Sequence, residues 1–222
     1  MDVRQLALGA AMAALAACDA PTVPSESPGY DPRLALGGAD VIYHWPLGQT
    51  LAVYAHPAGA PAGFEMAAAI QSANALWRDA VRYRECDVRL VSTPGEADVV
   101  FHFDTDSVVS VTSCAPPPTG AAGITSACPN AAGTALDPIP LIGGGTSRVK
   151  FDVQISASPT RIPNATVFQR IVAHEFGHVI GIGAHSADNA DLMFGGPVVD
   201  APSAADAQTI RYVLHQPAEL RP

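Results

Sequence analysis

The stretch from residue 174 to residue 186, HEFGHVIGIGAHS, constrains the fold of this chain more than any other. If residues 169–180 are helical, His174 and His178 are four positions apart and share one helix face. Gly181 follows three residues after His178, and glycine tolerates the left-handed backbone with which helices often end. A further histidine, His185, comes after this glycine. The fold must therefore bring the helix with His174 and His178, the chain reversal at Gly181 and the loop with His185 close together.

The three histidines of this stretch predict a metal site. Two imidazoles four residues apart on a helix can bind one ion, and His185 would supply a third nitrogen from the loop. Zinc suits this set because three neutral nitrogens and one water complete its tetrahedron. Glu175 lies beside the metal without occupying a ligand position, as the general base of H-E-x-x-H sites does. We therefore expect one catalytic Zn²⁺ bound by His174, His178 and His185, with Glu175 as the catalytic residue.

Together with the downstream segment Asp191-Leu192-Met193-Phe194, this stretch resembles the metzincin zinc peptidases, and within them the matrixins. The resemblance implies an α+β fold, with a twisted mixed β-sheet, a long helix and an active-site helix. It also implies a small C-terminal subdomain with a methionine turn at Met193 and a final helix. The implied activity is that of a zinc metalloendopeptidase, which hydrolyses peptide bonds in extended polypeptides through a zinc-activated water.

The third ligand departs from the family pattern. That pattern places it at position 184, which is alanine here, and His185 comes one residue later. Two glycines in the turn make the longer loop easy to accommodate, so His185 is the expected ligand. Two alternatives stay open: a degenerate site with two ligands, and a site that Asp188 or Asp191 completes, since carboxylates also bind zinc. The matching alternatives for function are a non-catalytic metzincin-fold binding lipoprotein and a zinc hydrolase with a different third ligand.

Residues 1–17 are typical of a lipoprotein signal peptide. The apolar run from residue 6 to residue 17 is too short to span a membrane and suits the hydrophobic part of a signal sequence. Leu15-Ala16-Ala17-Cys18 resembles the bacterial lipobox, whose cysteine becomes lipidated. Residues 18–37 would then be a lipid-anchored, proline-rich spacer and residues 38–222 the metzincin-like catalytic domain. We expect an exported protein of the bacterial cell envelope, anchored to the membrane through Cys18.

The composition limits the partners. Charged residues make up 15% of the chain and the net charge is −9, which argues against nucleic acid or anionic lipid as a ligand. We expect a protein or peptide substrate and a monomeric protein. Calcium is conceivable at Asp152, where related enzymes place a binding acid, but the acids that should accompany it are missing.

The cysteines beyond Cys18 are Cys86, Cys114 and Cys128, an odd number. In an oxidising compartment one disulfide is expected. Cys114 and Cys128 are the natural pair because both lie in one loop rich in proline and glycine. Cys86 would then be buried or free.

Periodicity predicts the main elements. Helices are expected at 64–84, where Trp77 packs into the core, at 169–180 behind a capping box at 166–169, and from the cap Ser203 to Leu214. Strands are expected at 50–55, 87–91, 98–103 and 148–155. The region 115–147 shows no periodicity, and His102 should lie on the sheet surface. By the family resemblance, the strand at 148–155 should be the edge that binds extended substrate.

Overall fold

The computed structural model describes residues 27–36, 39–81, 85–111 and 120–222. Within these ranges the chain has an α+β fold with a mixed sheet and three α-helices. The helices are α1 (Met66–Ala80), α2 (Ala165–Ile180) and α3 (Ala204–Leu214), with a short 3₁₀ turn at Pro94–Glu96. The strands are β1 (Leu34–Leu36), β2 (Ala39–Val41), β3 (Thr50–Ala55), β4 (Asp87–Leu90), β5 (Val99–Phe103), β6 (Gly123–Pro129), β7 (Leu136–Asp137) and β8 (Phe151–Ile155). The predicted signal peptide, Cys18 and Cys114 lie outside the described residues.

Six strands form one sheet in the order β4-β3-β5-β8-β6-β7. Strands β4, β3, β5 and β8 run parallel, whereas β6 is antiparallel to β8 and β7 is antiparallel to β6. Strands β1 and β2 form a separate antiparallel pair. Among the described helices, none has the length and apolar character needed to cross a membrane.

The core lies between the sheet and helices α1 and α2. Alternation along β5 turns Val99, Phe101 and Phe103 toward the helices, and all three are fully buried. Trp77 is also fully buried, as predicted, and its Nε1 donates a hydrogen bond to the Ala173 carbonyl of α2 at 2.8 Å. Helix α2 is therefore fixed against α1 immediately before its first histidine.

Several element boundaries differ from the prediction. Strand β3 and the capped helix α3 are as expected, whereas α1 begins at Met66 rather than Phe64. The capping box at 166–169 is wrong, because α2 begins earlier and Asn164 caps it by accepting a hydrogen bond from Val167 N at 3.0 Å. An asparagine cap two residues upstream leaves Thr166 inside the first turn.

The predicted substrate-binding edge strand is wrong. Strand β8 lies inside the sheet, between β5 and β6. The strand on its far side is β6, which arises within the region that shows no periodicity. Alternation reports which face of a strand is apolar and carries no information on its neighbours, so it could not distinguish a central strand from an edge strand.

His102 was expected on the sheet surface, and this expectation is wrong. Its side chain is fully buried on the sheet face opposite the helices. Its Nε2 lies 2.9 Å from Asp152 Oδ1 on the neighbouring strand β8, and its Nδ1 lies 2.8 Å from the Phe103 carbonyl. A buried partner one strand away explains the burial, and a single strand's pattern could not reveal it.

Residues 27–36, which fall in the predicted spacer, lie against helix α3. The backbone N–H of Gly29 donates to Thr209 Oγ1 at 3.0 Å, and Tyr30 Oη donates to Asp206 Oδ1 at 2.6 Å. Further on, the Pro32 carbonyl accepts a hydrogen bond from Gly183 N at 2.7 Å. This segment therefore contacts both α3 and the loop that follows α2.

Cys86 is buried and free, whereas Cys128 is disulfide-bonded. Since Cys114 lies outside the described residues, its pairing with Cys128 stays a prediction.

Candidate metal centre

Helix α2 carries two of the three histidines and ends where the loop must reverse. Its C-cap is Gly181, with φ of +138°, a conformation that other residues rarely adopt. A Cβ atom at this position would also lie 2.7 Å from the Tyr43 carbonyl oxygen. Glycine is thus required both for the turn and for the close approach of the chain at Tyr43, and the turn brings His185 back toward the helix.

The side chains of His174, His178 and His185 converge. The Nε2 atom of His185 lies 3.2 Å from Nε2 of His174 and 3.2 Å from Nε2 of His178. A tetrahedral zinc ion with Zn–N bonds near 2.0–2.1 Å requires nitrogens about 3.3 Å apart. Both distances therefore fit one zinc ion, the three nitrogens all lie within 4.8 Å of one another, and the one-residue extension before His185 does not remove this histidine from the group.

Carbonyl groups fix the tautomers of the two helical histidines. Nδ1 of His174 lies 2.7 Å from the Leu192 carbonyl oxygen, and Nδ1 of His178 lies 2.6 Å from that of Ile182. A carbonyl only accepts hydrogen bonds, so each Nδ1 must carry the proton and each Nε2 presents its lone pair to the group. In metal sites, a hydrogen bond from the other ring nitrogen to a carbonyl is what orients a metal-binding histidine.

All three imidazoles are held in the neutral form that binds metals. Burial lowers the pKa of His174 to about 4 and that of His178 to about 3, and the neighbouring histidines add to the effect. Burial also lowers the pKa of His185, which is the most exposed of the three. At neutral pH a metal ion would therefore not have to displace protons from these nitrogens.

Glu175 is buried beside this group, with 4% of its surface exposed. Burial raises its pKa to about 7, and a hydrogen bond from Thr125 works in the opposite direction. Thr125 Oγ1 lies 2.8 Å from Glu175 Oε2. A carboxyl group whose pKa is near 7 can both take up and release a proton at neutral pH.

Met193 packs against helix α2 at a position close to the histidines in sequence. Its side chain is fully buried and contacts Gly177, the residue that lies between His174 and His178 in the chain. The preceding residue, Leu192, supplies the carbonyl that orients His174, and its own N–H donates to Asp206 Oδ2 at 2.7 Å. The segment at Leu192 and Met193 thus contacts α2 and orients His174.

The acids weighed as alternative third ligands are engaged elsewhere. Asp191 is buried, and its two oxygens each accept a hydrogen bond, from Ser203 Oγ and from Ser186 Oγ. Asp188 Oδ1 accepts from the backbone N–H of Ala190 at 2.9 Å. Within the described part of the chain, the group positioned to hold a metal ion consists of His174, His178 and His185.

A cavity of about 530 Å³ opens over the histidines and Glu175. Strand β6 forms one wall, and the loop at residues 195–197 lies at the side of His185. Strand β6 was not predicted as a strand, because its small and polar residues resemble a loop.

The sequence matches no protein-family model and no curated protein.

Proposed function

We propose that this protein is a zinc-dependent endopeptidase that hydrolyses extended polypeptide chains. The observation that carries the proposal is the convergence of three neutral imidazoles beside one buried glutamate, with Nε2 of His185 3.2 Å from Nε2 of each helical histidine. The resemblance of residues 174–193 to the metzincins supports it, as does the mixed sheet that backs the helix. We also keep the expectation of a lipoprotein anchored through Cys18 at the bacterial cell envelope as part of this proposal.

The residues divide the chemistry between them. His174, His178 and His185 would hold the ion, which when bound activates water as a nucleophile and polarises a carbonyl group. Glu175 would take a proton from the attacking water and then donate it to the departing amine. Its burial and its raised pKa suit both steps. Met193 takes no part in the chemistry and would support the imidazoles from below.

Residues 123–127 of strand β6, rather than β8, are the proposed edge for an extended substrate, because β6 pairs with β7 only at Cys128 and Pro129. Ser156 N donates to the Ala122 carbonyl, so residues 122 and 156 form a hydrogen-bonded pair. Along the antiparallel strands β6 and β8, hydrogen-bonded pairs alternate with pairs that are not hydrogen-bonded. By that alternation, the backbone groups of Gly123, Thr125 and Ala127 point away from β8, and these residues line the cavity. A peptide added along this edge would be recognised mainly through its backbone, which tolerates many sequences.

The proposal is tested by peptide cleavage with a Glu175→Gln variant as the matched control. The full chain loaded with zinc should cleave a mixed pool of fluorogenic peptides, and a chelator should stop the cleavage. Glu175→Gln should bind one equivalent of zinc yet lose about 10²–10⁴-fold in kcat, because the general base is gone. Cleavage by Glu175→Gln at the rate of the parent protein would refute the mechanism.

A zinc-loaded, folded protein that cleaves no peptide would instead favour the non-catalytic binding lipoprotein.

The third ligand has a separate test. His185→Ala should lower zinc affinity, because the ion would lose one of three protein nitrogens, and isothermal titration measures the change. His56→Ala is the control, since His56 lies beside Asp106, outside the metal group. Unchanged zinc affinity in His185→Ala would mean that another group completes the coordination.

A further inference from the structure

Two residues of β6 contact the side chain of Glu175. Gly123 and Thr125 are two positions apart, so they lie on the same face of the strand, the one that packs against α2. Neither residue belongs to the H-E-x-x-H stretch, and 50 positions separate Thr125 from Glu175. The contact therefore exists only in the folded protein.

The two residues meet opposite oxygens of the same carboxyl group. Thr125 Oγ1 donates to Oε2 at 2.8 Å. At Gly123 a Cβ atom would overlap Oε1 and would lie 2.8 Å from Cγ of Glu175. The hydroxyl thus fixes one oxygen, while the missing side chain leaves room for the other.

An alternative role for the Thr125 hydroxyl is purely structural, namely to connect β6 to α2 by a hydrogen bond. Thr125 Oγ1 also lies 3.3 Å from the Glu175 backbone carbonyl, which would serve that purpose. The carboxylate contact is shorter by 0.5 Å, and hydrogen bonds to charged acceptors are shorter and stronger than those to neutral ones. Geometry therefore favours the side-chain carboxylate as the main acceptor.

We infer that Thr125 and Gly123 are positioning residues, which hold the Glu175 carboxylate in the orientation that peptide hydrolysis needs. This inference rests on the proposed endopeptidase activity. General-base catalysis depends on the base lying within hydrogen-bond reach of the proton it removes, so a carboxylate free to rotate would act more slowly. Neither contact reaches the reacting atoms, so it affects the reaction through Glu175, and it is separate from the substrate binding proposed for the backbone of β6.

Thr125→Val and Thr125→Ser form the matched pair that tests the hydroxyl. Thr125→Val keeps the shape and removes the donor, so kcat should fall by about tenfold, as expected for a lost hydrogen bond to a charged group. KM should change little, because the backbone edge of β6 is kept. Thr125→Ser retains the donor and should restore most of kcat. Thr93→Val is the control, because its hydroxyl bonds the Glu96 carboxylate at 3.1 Å on an exposed turn.

Gly123→Ala tests the contact with Glu175 Oε1 by adding a side chain where the parent protein has none. Gly123 has no positive φ, so its backbone accepts alanine, and the added Cβ should push the carboxylate aside. We expect kcat to fall while the protein still binds one equivalent of zinc, because the three histidines are untouched.

Crystal structures of the same variants give a readout that needs no activity. In Thr125→Val and Gly123→Ala the Glu175 carboxylate should leave its position in the parent protein, and in Thr125→Ser it should stay. An unmoved carboxylate in Thr125→Val would overturn the inference whether or not peptides are cleaved. If the parent protein cleaves no peptide, the proposed activity fails, and a moved carboxylate would still establish that β6 positions this side chain.

Discussion

Gly177 lies between the two helical histidines in sequence and faces Met193. A Cβ atom at this position would overlap Met193 Sδ and would lie 2.7 Å from Trp77 Cζ2. Glycine inside a helix costs about 1 kcal/mol relative to alanine, so its presence here needs a reason. The reason is packing, because the helix can approach the methionine and the tryptophan only where it carries no side chain.

Gly177→Ala should therefore destabilise the protein although alanine is the better helix former. We expect the free energy of unfolding to fall by about 1–3 kcal/mol, as for other overpacked core positions. Urea denaturation of the parent and the variant measures the difference. Gly95→Ala is the control, since the nearest neighbour of its added Cβ is the Thr146 carbonyl at 3.4 Å. A more stable Gly177→Ala would show that helix propensity outweighs the contact with Met193.

At the residue scale, the sequence predicted those site residues that lie close together in the chain. His174, His178 and Glu175 lie within one helical turn, so the motif alone places them together. Thr125 and Gly123 could not be found in this way, because their contact with Glu175 depends on how β6 docks against α2. The cap of α2 was also placed wrongly, because Asn164, two positions before the predicted Thr166, is the residue that caps the helix.

At the scale of elements, β5 and β8 share a buried polar pair on the sheet face away from the helices. His102 donates to Asp152 Oδ1 through Nε2 and to the Phe103 carbonyl through Nδ1. Burial lowers the pKa of His102, but the hydrogen bond and charge of Asp152, the Phe103 carbonyl and the charge of Asp106 outweigh it, and the net pKa is raised above 6.5. Both ring nitrogens face acceptors, which agrees with a protonated imidazole.

The His102–Asp152 pair predicts a pH-dependent stability. Because the folded pKa of His102 is raised, its contribution is complete below pH 6.5 and is lost as the pH rises through the folded value. The double variant His102→Gln, Asp152→Asn replaces the pair with neutral amides and should lack this dependence. Thermal unfolding of metal-free parent and double variant between pH 6 and 9 should show a stability difference that falls with rising pH. A constant difference would mean that His102 does not titrate in this range.

Element prediction succeeded where the local signals were strong and failed where they were weak. Strand β3 and helix α3 were predicted with their bounds, because the β-branched and aromatic residues of the one and the Ser203 cap of the other are local signals. Strand β6 was missed since GITSACP combines small and polar residues that fit a wall beside a cavity rather than a core. The order of strands within the sheet was equally invisible, which is why β8 was mistaken for an edge.

At the scale of the whole molecule, the N-terminal segment and the metal centre are linked through α3. Tyr30 Oη donates to Asp206 Oδ1, and Asp206 Oδ2 accepts from Leu192 N. The Leu192 carbonyl in turn orients His174. Asp206 is fully buried and also completes the cap of α3 with Ser203. A residue predicted to lie in a spacer is thus three contacts away from a candidate metal ligand.

Tyr30→Phe in the full chain tests whether this link contributes to the fold. Burial and the neighbouring Asp206 raise the pKa of Tyr30, so its hydroxyl is a donor at neutral pH. Its loss should lower the free energy of unfolding by about 1–3 kcal/mol, because a buried carboxylate oxygen loses a charge-assisted hydrogen bond. Zinc affinity should fall in the same direction, because the turn that holds His174 loses support. Urea denaturation and zinc titration measure the two effects.

Tyr54→Phe is the matched control for this change. It removes the hydroxyl of a β3 residue that lies 3.3 Å from His56 Nδ1, far from α3 in sequence. This control should leave zinc affinity unchanged. If Tyr30→Phe behaves like Tyr54→Phe, residues 27–36 rest on the domain without stabilising it, and the boundary between spacer and domain at residue 38 stands. If Tyr30→Phe alone weakens both fold and zinc binding, the folded unit begins at or before Tyr30, because a residue outside it could not stabilise the centre.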